Sequence, residues 1–372
     1  MKQLKLKVLI VWFSIIILLV VFSFSFKTRT RVNEEMNQKM VEASNLALTA
    51  FESIKELKIQ KGIGISEEDV LNTGMIGSNK RTAITTTEGV LEAKRTSCNP
   101  EWAGVIVRRL MENGLEENDE VILIFSGSFP ALNIAAMAAC EVLNLKTIIF
   151  ASIGASYYGA NQEDFTFFDM AKHLNDSNIL NKKIDYVSLG GALDIGFDFH
   201  NDTIKNEIIN RINEACVNFI YEENYRLNID NRLNIIYNEV PNVKMVINTG
   251  GSLIAYGQGL YAYTKTGFFE GALYKRTLNY IINNRPDNMG LLECLHLLGV
   301  DVFSMRDIRY LSSLYGIEYD PIKMPKIASS AAFYVDKYNI IYPIIGIVVS
   351  ILFSVILFLD YKKYFKKYYK KY

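Results

Sequence analysis

The feature that most limits what this chain can fold into is a pair of apolar runs, one near each end. Residues 8–26 read VLIVWFSIIILLVVFSFSF and residues 340–359 read IIYPIIGIVVSILFSVILFL, neither containing Asp, Glu, Lys or Arg. A helix crossing the hydrocarbon core of a bilayer needs about 20 such residues. A helix that is apolar all round also lacks the polar face of a soluble amphipathic one. The sequence therefore predicts a transmembrane helix at each end. A cleaved signal peptide is the competing reading of the first run, because Lys2, Lys5 and Lys7 precede it. Against it, the run is long for a signal core, and Phe24 and Phe26 stand where small residues precede a cleavage site.

Orientation follows from the lysines and arginines next to the membrane. The first run is ambivalent, since Lys27, Arg29 and Arg31 follow it. The second is not: Lys362, Lys363, Lys366, Lys367, Lys370 and Lys371 follow it, against Lys323, Lys326 and Lys337 before it. The tail decides, and it predicts a two-pass protein of the cytoplasmic (inner) membrane with both termini cytoplasmic and the main domain extracytoplasmic. The expected order is residues 1–7 in the cytoplasm, 8–26 a crossing, 27–69 a membrane-proximal amphipathic helix, 70–338 an α/β domain, 340–359 a second crossing, and 360–372 a lysine- and tyrosine-rich tail. Tyr364, Phe365, Tyr368 and Tyr369 alternate with the tail lysines. That pattern is a topology signal or a contact with anionic headgroups of the lipid bilayer.

Lys and Arg number 40, as do Asp and Glu, so no basic footprint points to nucleic acid. Cys98, Cys140, Cys216 and Cys294 are scattered. They give no disulfide framework, and Cys140 and Cys216, in apolar helical patterns, read as small core residues. His173, His200 and His296 lack ligand spacing, so no metal and no cofactor is expected.

Met36, Met40, Ala43, Ala47, Phe51 and Ile54 recur at steps of three and four, forming one apolar helical stripe. It fits a stalk, a partner helix, or packing on the domain. From Asn99 the pattern alternates helix and strand. Asn99 and Pro100 open a helix over 101–113, which Gly114 stops. The continuous apolar run 121–125 reads as a parallel strand covered on both faces. A helix over 130–143 and a strand over 147–151 complete a βαβ unit. Further strands are expected at 184–189, 244–247 and 300–303, with helices at 206–221 and 288–298. The fold class is α/β: a mostly parallel, doubly wound (Rossmann-like) sheet with helices on both faces, flanked by the N-terminal and C-terminal transmembrane helices.

In such a sheet ligands bind at the carboxyl ends of the strands, where this sequence places its Ser, Gly and Asn. Four loops carry them: 126–130 (SGSFP), 152–156 (SIGAS), 190–194 (GGALD) and 248–252 (NTGGS). The first can offer hydroxyls, backbone N–H groups and a positive helix end to a phosphate or carboxylate. Tight strand-to-helix turns also require Ser and Gly, which is the plainer explanation. The candidate ligand-binding residues are Lys94, Arg95, Gly127, Ser128, Gly154, Ser156, Asn248, Gly250, Gly251 and Ser252. Ser126 and Ser128 are the candidate nucleophiles, although neither G-x-S-x-G nor a P-loop is present. The threonines of ITTTEG, before Lys94 and Arg95, suit an anionic ligand or a solvated edge strand equally.

The stretches TGMIG at 73–77, ITTTEGVLEAKRTSCNP at 84–100 and SGSFPALNIAAMAAC at 126–140 resemble the poly-gamma-glutamate system protein family, as do ASIGASYYGANQEDFTFFDM and VINTGGSLIAYG further on. That family is encoded with the ligase and membrane subunits of poly-γ-glutamate synthesis. The likeness covers most of residues 70–270. It implies an accessory component of polymer biosynthesis or export, with poly-γ-glutamate or another polyanion and the membrane subunits of the synthase as partners. The other class it leaves open is an extracytoplasmic amide hydrolase or transferase acting on the γ-glutamyl chain. The loop after Gly191 is poorer in glycine than the family implies, which bears on Asp194.

The topology has a direct test. A reporter fused after Ile59 should register the extracytoplasmic side and one at Tyr372 the cytoplasm; a cytoplasmic signal from the first would refute it.

Overall fold

The structure, a computed structural model, describes residues 12, 15, 16, 18–20, 28–259, 265–337 and 341–369. In chain order its elements are β1 (Thr28–Arg31), α1 (Glu34–Gln60), α2 (Leu91–Ser97), α3 (Glu101–Glu112), β2 (Glu120–Ser126), α4 (Pro130–Val142), β3 (Lys146–Ser152), α5 (Phe167–Asp176) and β4 (Tyr186–Ser188). There follow α6 (Asp202–Glu214), β5 (Asn218–Phe219), α7 (Tyr225–Glu239), β6 (Met245–Thr249), α8 (Leu253–Tyr256), β7 (Gly267–Phe269), α9 (Leu278–Asn284), α10 (Leu291–Leu297), β8 (Asp301–Met305), α11 (Ile308–Tyr315), β9 (Tyr334–Lys337) and α12 (Ile341–Tyr369). They fall into two compact units, one of residues 33–333 and one of residues 1–32 with 334–372.

The larger unit is built on β2. Every residue of this strand after Glu120 is buried, as an apolar run covered on both faces must be. It pairs in parallel with β3 on one side and with β6 on the other. The full order is β5-β4-β3-β2-β6-β8-β7, all parallel except β7, which runs antiparallel on the outer edge of β8. On one face Ile122, Ile148, Val246 and Val302 pack against α7, α8 and α10. On the other, α4 lies on β2 and β6. The chain is thus mixed α/β, with a mostly parallel sheet of seven strands flanked by helices.

The apolar stripe of α1 packs on α3 and α4, with Met40, Ala43, Ala47 and Ile54 at zero exposure; of the readings open to it, packing on the domain is the one observed. The Asn33 Oδ1 accepts the Met36 N–H at 2.8 Å and starts the helix. Small residues let the backbones approach: a Cβ on Gly104 of α3 would come within 3.1 Å of the Met40 carbonyl oxygen.

Two expectations fail in this unit. The helix expected over 206–221 ends at Glu214, because Cys216 turns into the left-handed region (φ 54°) and Asn218–Phe219 pairs with β4. Cys216 is accordingly exposed rather than in the core, while Cys98, Cys140 and Cys294 are buried.

In the smaller unit, β1 and β9 form an antiparallel ribbon, Thr28 opposite Lys337 and Arg31 opposite Tyr334. The run 8–26 lies mostly outside the described residues. The run 340–359 coincides with α12 except at residue 340, which also lies outside them. Among the described residues no helix is long and apolar enough to cross a membrane, so the flanking transmembrane helices rest on the sequence.

One buried ion pair holds the loop after β4 to the domain. Arg232 on α7 donates to the Asp194 Oδ2 at 2.6 Å, and both side chains are 4% exposed. The Ser188 hydroxyl donates to Oδ1 at 2.8 Å. Burial pushes the Asp194 carboxyl up, and Arg232 opposes it. Changing Arg232 to Ala leaves a buried carboxylate without its counter-charge, so chemical denaturation should show a loss of about 3–5 kcal/mol, with a smaller loss for Asp194→Asn.

Candidate functional site

A doubly wound sheet opens a crevice where the strand order reverses. Here that point lies between β2 and β6, whose following loops diverge. A cleft of about 1070 Å³ occupies it, walled by Ser126, Ser128 and Phe129 after β2, Ser152, Gly154 and Ser156 after β3, Gly191 after β4, and Gly251 and Ser252 after β6. The strand ends are level: Ser126 pairs with Ser152, and Phe125 with Thr249. A second hollow of about 980 Å³ includes Lys244 and Asp301, at the opposite ends of the strands; strand direction, not volume, separates the two.

The segment 84–89 forms another wall. It runs alongside the loop after β3, with Thr86 N–H donating to the Ala155 carbonyl at 2.9 Å and Tyr157 N–H to that of Thr87 at 3.1 Å. This places Thr86, Thr87, Glu88 and Gly89 on the cleft and delivers the chain into α2.

Lys94 on α2 is the chemically unusual residue. It is 2% exposed. Its ammonium donates to the Ser128 carbonyl and lies 2.8 Å from the Ser156 Oγ, with Nζ 3.7 Å from the centroid of the Phe129 ring. No carboxylate pairs with it among the described residues. Burial lowers it to about 7, slightly offset by Cys98 one turn later. Ser156 is held by its own N–H, which donates to the Ser128 Oγ at 3.0 Å.

The expected residues divide. Lys94, Ser126, Ser128, Gly154, Ser156, Gly251 and Ser252 line the cleft. Gly127 and Gly250 lie in its loops as close-packing positions: a Cβ on Gly127 would fall 2.5 Å from the Ile153 carbonyl oxygen, and one on Gly250 would fall 3.0 Å from the Ser126 Cβ. Asn248 is 1% exposed and is consumed by the Gly250 carbonyl and the Tyr256 hydroxyl, at 2.9 and 2.8 Å. Arg95 points elsewhere. It donates to the Glu68 carbonyl at 2.8 Å, pairs with the Glu68 carboxylate at 3.1 Å, and stands 3.6 Å from Asp320. Adjacent residues on a helix do not face the same way, so Lys94 in the cleft places Arg95 outside it. Asp194 is taken up by Arg232.

Three cleft residues that the sequence reading passed over are Arg306, Asp307 and Arg309, in the loop after β8 and the start of α11. The strand-end rule, applied to the strand expected at 300–303, would have found them. Arg306 and Arg309 are exposed, lie over the rings of Tyr256 and Tyr319 at 4.9 and 4.8 Å, and have no ion pair among the described residues. The cleft's acids are differently placed: Asp198 accepts the Ala192 N–H at 2.6 Å and Asp307 the Tyr310 N–H at 2.9 Å, while Glu88 is exposed. No group of acids, histidines and cysteines fit to hold a metal occurs among the described residues. No family model, curated protein or solved structure matches the chain.

The buried amine has a thermodynamic consequence. An unfolded lysine titrates near 10.5 and folded Lys94 near 7, so between these values the unfolded chain binds more protons and stability rises with pH. Lys58, lowered to about 8 by burial, acts in the same direction. The gain in unfolding free energy from about pH 6.5 to about pH 9 should therefore be larger in the wild type than in Lys94→Met, as followed by denaturant titration. Equal gains would mean that Lys94 stays charged in the folded protein.

Proposed function

We propose that this chain is a two-pass, membrane-anchored accessory component of poly-γ-glutamate biosynthesis or export at the cell envelope, whose extracytoplasmic α/β domain binds the carboxylate-bearing polymer in the cleft. The observation that carries the binding step is the state of the cleft's charges. Basic and acidic groups are equal in number among the described residues of the cleft, but Asp198 and Asp307 are engaged by backbone N–H groups, whereas Arg306 and Arg309 lie over aromatic rings and have no ion pair among the described residues. A guanidinium without a carboxylate partner at a cleft mouth suits a ligand that brings its own, and the planar fork binds carboxylates in bidentate fashion. Each repeat of a γ-linked glutamate chain carries one free carboxylate and one backbone amide, so one carboxylate can meet the arginines while the chain continues toward Ser156 and Lys94.

The membrane part rests on the two apolar runs of the sequence; on α12, Ile344, Ile347, Ile351, Val355 and Phe358 are each at least 48% exposed. An apolar surface of this kind suits lipid or the apolar helices of a synthase subunit. The β1–β9 ribbon begins just after the first run and ends just before the second. It brings Thr28–Arg31 beside Tyr334–Lys337, an arrangement compatible with a hairpin that has both termini on one face of the bilayer.

The test pairs a binding measurement with a cellular one. Arg306→Ala and Arg309→Ala should each weaken calorimetric binding of a γ-linked glutamate oligomer by about 1.5–3 kcal/mol, the range for a charged hydrogen bond. Cells carrying the double variant should hold less polymer at the surface, with the soluble glutamate pool unchanged. Wild-type affinity together with a normal polymer distribution would remove the proposed role.

A further inference from the structure

We propose that Ser156 and Lys94 form a nucleophile and general-base pair that cleaves or transfers an amide of the chain lying in the cleft. The inference rests on the reading that the cleft takes a γ-glutamyl polymer, and it gives the same site a reaction. It also moves the nucleophile: Ser126 and Ser128 were the sequence candidates, but neither hydroxyl reaches a base. The Ser126 Oγ accepts the Ser128 N–H at 3.2 Å and the Ser128 Oγ accepts the Ser156 N–H at 3.0 Å. Only the carbonyl of Ser128 meets Lys94. Ser156, by contrast, presents its hydroxyl oxygen 2.8 Å from the Lys94 Nζ, within the reach expected of a nucleophile and its base.

Counting donors shows why a neutral Lys94 fits. An uncharged amine has two N–H bonds and one lone pair. The Ser128 carbonyl takes one N–H, the second faces the Phe129 ring or the cleft, and the lone pair is left to accept the Ser156 O–H. Burial lowers Lys94 to about 7, so this form is present at neutral pH. The groups facing Lys94 do not restore its charge. Cys98, on the same helix, is pushed up to about 12 by burial and is a neutral thiol, while Ser128, Phe129 and Ser156 from the opposing loops are uncharged. The nucleophile is held rigidly, since Ala155 N–H donates to the Ile84 carbonyl and Gly159 N–H to that of Ser156, at 3.3 and 3.0 Å.

The step balances without a cofactor. The Lys94 Nζ takes the hydroxyl proton as the Ser156 Oγ adds to the amide carbonyl carbon. The carbon–nitrogen bond then breaks, the Lys94 ammonium returns the proton to the leaving amine, and an ester remains on Ser156. Water, or the amine of another chain, attacks that ester and gives a proton to Lys94; the bond between the acyl carbon and the Ser156 Oγ breaks, and the Lys94 ammonium returns the proton to that oxygen, restoring the pair. Water makes the reaction hydrolysis, and an amine makes it transfer.

The test uses the full chain in detergent with a γ-linked glutamate pentamer, following products by mass spectrometry and binding by calorimetry on the same preparation. Shorter oligomers should appear, at a rate that rises with pH through about 7. Lys94→Met should lower that rate by about 10²–10⁴-fold, and Ser156→Ala should abolish it while binding stays within about twofold. Acid quenching should trap an ester on the peptide that contains Ser156. Because Lys94→Met changes a buried side chain, Ser156→Ala and the trapped ester decide independently of the fold. Binding without cleavage or ester overturns the pair and leaves the binding role intact. A Ser156 ester formed from p-nitrophenyl acetate without pentamer binding overturns the polymer and leaves the pair, and neither signal overturns both.

Discussion

Parallel pairing of β2 with a neighbour on each side is the constraint on which the domain depends. Once β3 and β6 both run parallel to β2, each connection must cross a face of the sheet, and all these strands end at the same edge. The chain leaves β2 toward β3 and later returns to its other side at β6, so the loops after β2 and β6 are carried apart. The cleft follows from this reversal. Its contents are then whatever the loops at that edge carry, which is why residues as distant in sequence as Lys94, Ser156 and Arg306 share one cavity.

Burying a cation is costly unless something compensates it, and the domain solves that problem in different ways. Arg232 has the Asp194 carboxylate at 2.6 Å. Lys58 donates to the carbonyls of Gly74 and Ile76 at 3.3 and 3.0 Å, and the charge of Asp69 partly offsets its burial. Lys94 has a carbonyl, a hydroxyl and a ring, but no acid. Purely structural packing would be served as well by an apolar side chain of the same length. An amine kept without a counter-charge at a cleft wall is what the proposed chemistry, which needs its neutral form, would require.

The legible part of the fold was the part that local pattern determines. The strands at 121–125 and 147–151 were found within a residue at each end, because a continuous apolar run has few other uses. The two-residue β5 and the antiparallel β7 were not anticipated, since short edge strands bury too little to leave a pattern. The helix expected over 206–221 ran too far for the same reason: edge pairing at Asn218, a long-range contact, ends it. Within the cleft, the strand-end loops supply much of the wall, as the sequence pattern led one to expect. Arg95 was misassigned because an adjacent Lys-Arg pair looks like one positive patch in sequence, whereas on a helix the two side chains diverge by about 100°. Asn248 was misassigned because its partners, the Tyr256 hydroxyl above all, are visible only in three dimensions.

The loops also show how architecture and chemistry divide a single composition. A Cβ on Gly77 would fall 1.8 Å from the Gly159 carbonyl oxygen, and one on Gly89 would fall 2.3 Å from that of Tyr157. These backbones interlock so closely that side chains are excluded, and the glycines need no ligand to explain them. Most of the serines are likewise spent on the loops: the Ser126 and Ser128 oxygens accept backbone N–H groups, and Ser252 caps α8. Ser156 is the exception, because its backbone makes the structural bonds and its hydroxyl meets Lys94, with no other hydrogen bond among the described residues. The interlocking that accounts for the glycines is also what fixes that hydroxyl against the amine, so the turns that explain the loop composition also set the 2.8 Å contact between Ser156 and Lys94.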